Sequence, residues 1–252
     1  MATLPKWLDP KSEVPKTAPP HDRAAFVVGT MERLLELGCD PRQAAGVTAN
    51  AANESAWGRS LYCGNGFGWK ITSSYAASFK QRTGESAPWW RAPGNLSSGD
   101  APEVYYRVFG EKGADGVWRF DFEGALSEWL ERFVPRPRTP PAPAPRGVDY
   151  RRCGELFWTG GAWFPELIRV GYKGPVTRAA PARSIAEHDS IVKTVLTFWA
   201  QSRLGVKVDG NWGPVSARAA AALQQAHNLP PTGKVDGGLL EALGNERVSA
   251  AR

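Results

Sequence analysis

Between Asp40 and Ser55 the chain reads DPRQAAGVTANAANES, and no other stretch constrains the fold as much. Asp40 followed by Pro41 is an N-cap with proline at the first helical position, so a helix opens there and runs to about Ser55. Its side chains are almost all Ala, Gly, Thr and Asn. Such a helix carries little apolar surface of its own, and its small residues let neighbouring elements approach closely. It therefore belongs inside a packed assembly, and the rest of the chain has to supply the walls.

The flanking sequence offers them. Helical spacing begins at Asp22, a second N-cap, with Ala25, Val28, Met31, Leu34 and Leu35 at three- and four-residue steps, and stops at Gly38. Another helix is expected near 120–133, FDFEGALSEWLERF. From Leu61 to Gly110, glycines (64, 66, 68, 84 and 94) and Pro88 and Pro93 break short aromatic runs. That region reads as a hairpin-and-loop lobe ending in the strand-like EVYYRVF at 103–109.

Residues 1–21 hold five prolines and are expected to form an extended arm. Six of the eleven residues from Pro135 to Pro145 are proline. The stretch 135–146 is polyproline-like, either a linker or an exposed loop of the larger domain. Residues 150–172 are aromatic and Gly-rich, and 178–183 read as a short connector. Beyond them, Ser190–Arg203 is amphipathic, with Val192, Val195, Leu196 and Trp199 on one face. Val-Asp-Gly occurs at 208–210 and again at 235–237, each time before a helical pattern, a weak internal duplication.

Composition narrows the function. With 42% hydrophobic and 22% charged residues, the 252-residue chain is an ordinary globular mixture, which excludes wholesale disorder. No apolar run approaches the roughly 18 residues of a membrane span. The Pro- and charge-rich N-terminus lacks the apolar segment of a Sec signal peptide. Cys39, Cys63 and Cys153 are widely spaced and form no CxxC pair, and His21, His188 and His227 are isolated. Neither a disulfide framework, a metal site nor a cofactor is expected. Thirty-one Lys+Arg against 25 Asp+Glu leave a net charge of +6, which favours anionic partners. The basic residues are dispersed, so wall polymers are favoured over nucleic acid. Eleven tryptophans supply flat faces for a core or for carbohydrate platforms.

Chemistry concentrates in NESAWGRSLYCGNGFGWK, residues 53–70. Glu54 ends an otherwise almost uncharged helix and precedes Trp57-Gly58. The negative end of the helix dipole and desolvation by apolar neighbours both favour the protonated carboxyl, which is what a general acid working near neutrality needs. The alternative is a solvated Glu at a frayed helix end.

The segment AANESAWGRS followed by GNGFGWK resembles the signature of glycoside hydrolase family 73, the muralytic domains of flagellar rod-assembly proteins and of autolysin glucosaminidases. Glu54, Ser55, Trp57, Gly58, Asn65, Phe67, Gly68 and Lys70 occupy the family positions; Gly66 stands for the usual Leu and Trp69 for the usual Ile. The resemblance covers roughly 22–175 and is strong over 44–70. It implies a lysozyme-like domain with a helical lobe, a small β-hairpin lobe and a glycan cleft between them. Glu54 would be the general acid. Glu85 is the first candidate for the second carboxylate, with Glu103 and Asp100 as rivals, and Tyr172 resembles a late cleft tyrosine. Trp57, Asn65, Phe67, Trp69, Trp89, Trp90 and Tyr106 are candidate substrate-binding residues.

The C-terminal VDGNWGPVSARAAAALQQAHNLPPTGKVD resembles the peptidoglycan-binding-domain-1 family, a three-helix module, with Asp209, Trp212 and Gln224 among the pattern residues. Asp209 and Asp236 read equally well as turn or N-cap residues. The expected fold class is thus α+β: a mainly helical lysozyme-like domain over 22–180 and an all-α three-helix module over 187–246. The expected function is a monomeric peptidoglycan hydrolase of endo-β-N-acetylglucosaminidase type acting on wall glycan strands. A phage endolysin released through a holin lesion fits the missing signal peptide. A muramidase or lytic transglycosylase, an exported effector and a non-catalytic wall-binding protein are the alternatives.

Overall fold

Both expected N-caps are made in the computed structural model of the chain, which describes residues 4–17, 22–93, 103–136, 149–170 and 181–250. The Asp22 carboxylate accepts the Ala25 N–H (3.0 Å) and starts α1 (Arg23–Glu36). Asp40 Oδ1 accepts the N–H groups of Arg42 and Gln43 (2.8 and 2.9 Å) and starts α2 (Pro41–Glu54). Gln43 Oε1 in turn accepts the Asp40 N–H (2.7 Å), closing a reciprocal capping box. Residues 43–52 of α2 are all buried, as its small side chains require, while Asn53 and Glu54 are exposed.

The elements combine many helices with two small antiparallel sheets, an α+β, mostly helical architecture. Contacts divide the chain into two compact units, residues 1–21 with 54–125, and 22–53 with 126–252.

In the first unit β1 (Trp89–Pro93) pairs with β2 (Glu103–Arg107), Trp90 opposite Tyr106, and β3 (Gly110–Lys112) pairs with β4 (Trp118–Phe120). The N-terminal arm is extended but docked. Val14 donates its N–H to the Trp89 carbonyl (2.7 Å), Trp89 donates its indole N–H to the Asp9 carbonyl (3.0 Å), and Leu8 and Val14 are buried. The hairpin-and-loop expectation for 61–110 needs one correction, because Ser73–Thr83 is a helix, α3. The Thr72 hydroxyl accepts the Tyr75 N–H at its start, and Gly84, at φ 78°, ends it. A glycine read as hairpin punctuation is a left-handed helix stop.

The second unit contains α1, most of α2 and the body of α4 (Phe122–Phe133), followed by α5 (Arg151–Trp158) and α6 (Trp163–Arg169). The last two lie where only an aromatic, Gly-rich stretch was expected. Trp163 packs edge-on to Trp129 and Phe157, and its indole fills the space beside Gly46 of α2. Most of the proline-rich stretch, residues 137–148, lies outside the described residues.

The expected connector is corrected too. From Pro181 the chain is already helical in α7 (Pro181–Arg203), where Arg183 pairs with Glu187 one turn on (2.9 Å); residues 178–180 lie outside the described residues. Two further helices follow, α8 (Pro214–Ala226) and α9 (Gly237–Ala250). Helix α7 packs on α1. Trp199, fully buried, donates its indole N–H to Glu32 Oε1 (2.9 Å), and Arg203 grips the same carboxylate with Nε (2.8 Å) and Nη2 (2.7 Å). Earlier in α7, the His188 imidazole stacks on Phe164 and meets the Gly46 carbonyl at 3.0 Å. Helices α7–α9 thus share one compact unit with α1, where the sequence alone places a boundary between 180 and 187.

The duplication at the C-terminus also exists, in a different register. Gln201 Oε1 accepts the Gly210 N–H (2.8 Å) and its amide donates to Asp209 (3.0 Å). Gln224 repeats this with the Gly233 N–H (2.9 Å) and the Thr232 hydroxyl (2.9 Å). Both glycines have positive φ (74° and 63°), which this turn requires. Gln201, Asp209 and Gly210 thus correspond to Gln224, Thr232 and Gly233, four residues out of step with the two Val-Asp-Gly strings.

Candidate functional site

Glu54 is the only carboxylate of α2 and stands at its exposed C-terminal end. Around it Asn53, Ala56 and Arg59 are exposed, Trp57 is half-buried and Gly58 is buried. What is distinctive is the backbone that follows. Ser55 is fully buried and its hydroxyl accepts the Gly58 N–H (2.9 Å), while the Ser55 carbonyl accepts the Ser60 N–H (2.8 Å). Between them Ala56, Trp57 and Gly58 all have left-handed φ (49°, 63° and 87°). For an L-residue that conformation costs about 1–2 kcal/mol, so two adjacent ones persist only because the buried Ser55 turn imposes them. The turn fixes where the helix ends and hence where Glu54 stands.

The glycine-rich segment after it is held by one side chain. Asn65, 3% exposed, donates its amide to the Trp69 carbonyl (2.8 Å) and the Arg107 carbonyl (3.1 Å), and its Oδ1 accepts the Trp69 N–H (2.9 Å). It ties residues 65–69 to β2. Phe67 packs against the Phe122 ring (5.9 Å between centroids), and that same ring occupies the space into which any side chain at position 66 would project. Phe122 of α4 thus fills the space beside Gly66. Asn65→Ala is expected to leave three backbone groups without their partner and to lower stability by roughly 2–4 kcal/mol, read as a lower denaturant midpoint at unchanged slope.

Several candidate platforms face protein. Trp69 is buried against the edge of Phe109 with the Arg107 guanidinium 4.8 Å from its ring. Trp89 is fully buried against Tyr105, and Trp90 stacks on Tyr106 at 4.5 Å and tilts against Tyr62. Trp57 and Tyr106 are half-buried. Arg107 is a structural residue of β2. It is 5% exposed, reaches the Lys70 carbonyl with Nε (3.3 Å) and lies 3.8 Å from the Tyr75 ring, so it bridges β2 to α3. An arginine in a strand beside two aromatics is the signal for it.

The second-carboxylate candidates differ in their surroundings. Glu85 follows the end of α3, exposed; its N–H bonds the Thr83 hydroxyl (3.1 Å), and its carboxylate has no ion pair or hydrogen bond among the described residues. Glu103 is tied down on β2. It lies 4.0 Å from Arg91, which also pairs with Glu13 (2.8 Å), and it accepts the Tyr105 hydroxyl (3.1 Å). Burial, reinforced by Glu103, pushes the Tyr105 phenol up. Asp100 and Tyr172 lie outside the described residues.

In the C-terminal helices the named residues form the frame. Gln201 and Gln224 are 1% exposed, and Trp212 donates its indole N–H to the Gly233 carbonyl (2.9 Å). The backbone N–H of Asn211, then the Gln201 amide, hold Asp209 below the usual carboxylate range. The Thr232 hydroxyl, then the Leu239 N–H, do the same for Asp236 at the start of α9. A carboxylate depressed in the folded state binds fewer protons folded than unfolded. Its contribution is present above the unfolded value, about 4, and is lost as pH falls through the lower folded value. Melting temperature is therefore expected to fall as pH drops below about 4, and the Asp209→Asn/Asp236→Asn variant to show a shallower fall, measured by scanning calorimetry.

Residues 192–243 match the peptidoglycan binding domain family PG_binding_1. The match gives the chain a peptidoglycan-binding module and so an association with the cell wall. No match to glycoside hydrolase family 73 is seen. No curated protein and no solved structure matches the chain. No helix among the described residues is long and apolar enough to cross a membrane.

Proposed function

We propose that the chain is a peptidoglycan hydrolase that cleaves wall glycan in the manner of an endo-β-N-acetylglucosaminidase, carried to its substrate by the module at 192–243. The observation that carries this reading is the 54–58 turn: the single carboxylate of a buried helix stands exposed at its end, and a buried Ser55 holds two strained residues immediately behind it. Strain of that kind is retained where geometry matters. The family resemblance of the same residues supports the assignment.

In this reading Glu54 protonates the leaving glycosidic oxygen as the bond passes through an oxocarbenium-like state. Glu85 takes the second carboxylate role, activating a water on the opposite face of the sugar; its unengaged carboxylate suits that role better than the ion-paired Glu103. The substrate's own N-acetyl group is the alternative nucleophile. Trp57 and Tyr106 are the aromatic candidates that are only half-buried. The module raises the local concentration of the chain on an insoluble polymer, which increases turnover without any new contact at the scissile bond. Release through a phage-type lesion or by a dedicated exporter belongs to the same proposal.

Purified sacculi digested with the chain, reduced with borohydride and analysed by mass spectrometry are expected to carry reduced N-acetylglucosamine ends. Reduced muramic ends, or anhydromuramic ends, would reassign the bond to a muramidase or a transglycosylase. The absence of new ends of any kind would leave a wall-binding protein.

A further inference from the structure

We infer that a pocket between the N-terminal arm and α3 is an accessory site for an anionic muropeptide, a wall disaccharide carrying its stem-peptide carboxylates. The pocket has a volume of about 410 Å³, and its lining includes Lys6, Trp7, Asp9, Ser73, Lys80 and Ser86 over a floor of small and apolar side chains. None of the residues assigned to bond cleavage is among them. The inference rests on the wall association of the module and not on hydrolysis.

Two features make this more than a surface dent. The first is Trp7, a large hydrophobic side chain left 41% exposed, whereas six of the eleven tryptophans are buried. Its neighbours hold it there. Leu8 is buried with Ile71, Ala87 and Trp89, and its N–H returns to the Pro5 carbonyl (2.9 Å). Asp9 caps the short 3-10 turn Pro10–Ser12 through the Lys11 N–H (2.9 Å), and its carbonyl receives the Trp89 indole N–H. With both flanks fixed, the indole is an outward platform that loses little freedom when a pyranose ring stacks on it.

The second feature is charge. Lys6 and Lys80 reach the pocket from its two walls, and neither has an ion-pair partner among the described residues. The Asp9 carboxylate accepts the Lys11 N–H through Oδ1, so the lining sets two positive charges against one negative. Two uncommitted ammonium groups, two serine hydroxyls and an indole face together suit a sugar bearing carboxylates. A neutral glycan would leave both charges unused, and an apolar ligand would desolvate them at a cost.

The test is a titration of the full-length protein followed by NMR at the Trp7 indole N–H, whose cross-peak is assigned by its loss in Trp7→Phe. The disaccharide with its stem peptide is expected to shift this peak in a saturable manner, and the neutral disaccharide diacetylchitobiose to bind at least about fivefold more weakly. Lys6→Ala/Lys80→Ala is expected to remove that preference, and high salt to weaken it in the wild type. Glu54→Gln is expected to give the wild-type titration, which separates this site from the hydrolase reading. A Trp7 peak that does not move, or that responds equally to both saccharides in the wild type, overturns the inference.

Discussion

Glu54→Gln is expected to lower the rate of sacculus lysis by about 10²–10⁴, the usual contribution of a general acid. The substitution keeps the shape of the side chain and removes the transferable proton. Because Glu54 is exposed, melting is expected to stay within about 2 °C of wild type. Binding to sacculi, which the module supports, should not change. A variant that melts normally yet keeps more than about a tenth of the lytic rate would remove Glu54 from the chemistry. Glu85→Gln separates the second role: turnover should fall with wall binding intact. If that variant is normal and Glu103→Gln is inactive at wild-type stability, the role passes to Glu103. The stability readout matters there, because Glu103 also anchors Arg91 and Tyr105.

What could be read from the sequence was local. Asp22 and Asp40 announce their helices because an N-cap acts within three residues, and both make the bonds their positions require. The small-residue helix is buried from 43 to 52 because a stripe of Ala and Gly has no other stable place. Helix α3 was missed although Thr72, Gly84 and the basic last turn are cap signals, since aromatic and glycine spacing nearby outweighed them. The desolvation of Glu54 was over-read for a different reason. Sequence neighbours at a helix end point in different directions, and with the left-handed turn at 56–58 Glu54 itself stays exposed. Arg203 and Glu32 are 171 residues apart, and no local pattern couples them. The Gln201 and Gln224 brackets join a helix to the turn after it, so the repeated Val-Asp-Gly string marked the right elements in the wrong register.

Trp199→Ala is expected to be the most destabilising single substitution in the C-terminal helices. The ring is fully buried and its N–H is spent on Glu32, so truncation removes a large apolar side chain and one hydrogen bond to a charged group. Such changes cost about 3–5 kcal/mol, which for a chain of this size lowers the melting temperature by roughly 6–20 °C. Trp199→Phe should lose less, because it retains most of the packing and Arg203 still grips Glu32 through two bonds. The consequence reaches beyond the module. Glu32 lies on α1, so α7 contributes a wall to the unit that also holds the small-residue helix α2. Calorimetry of the full chain should therefore show α1 and α7 unfolding in one transition that moves as a whole in Trp199→Ala. Two transitions, with the variant shifting only one, would mean that the wall-binding helices fold separately and serve only as a tether. A single shifted transition means that attachment to the wall and the support of α2, which ends in Glu54, depend on the same helix.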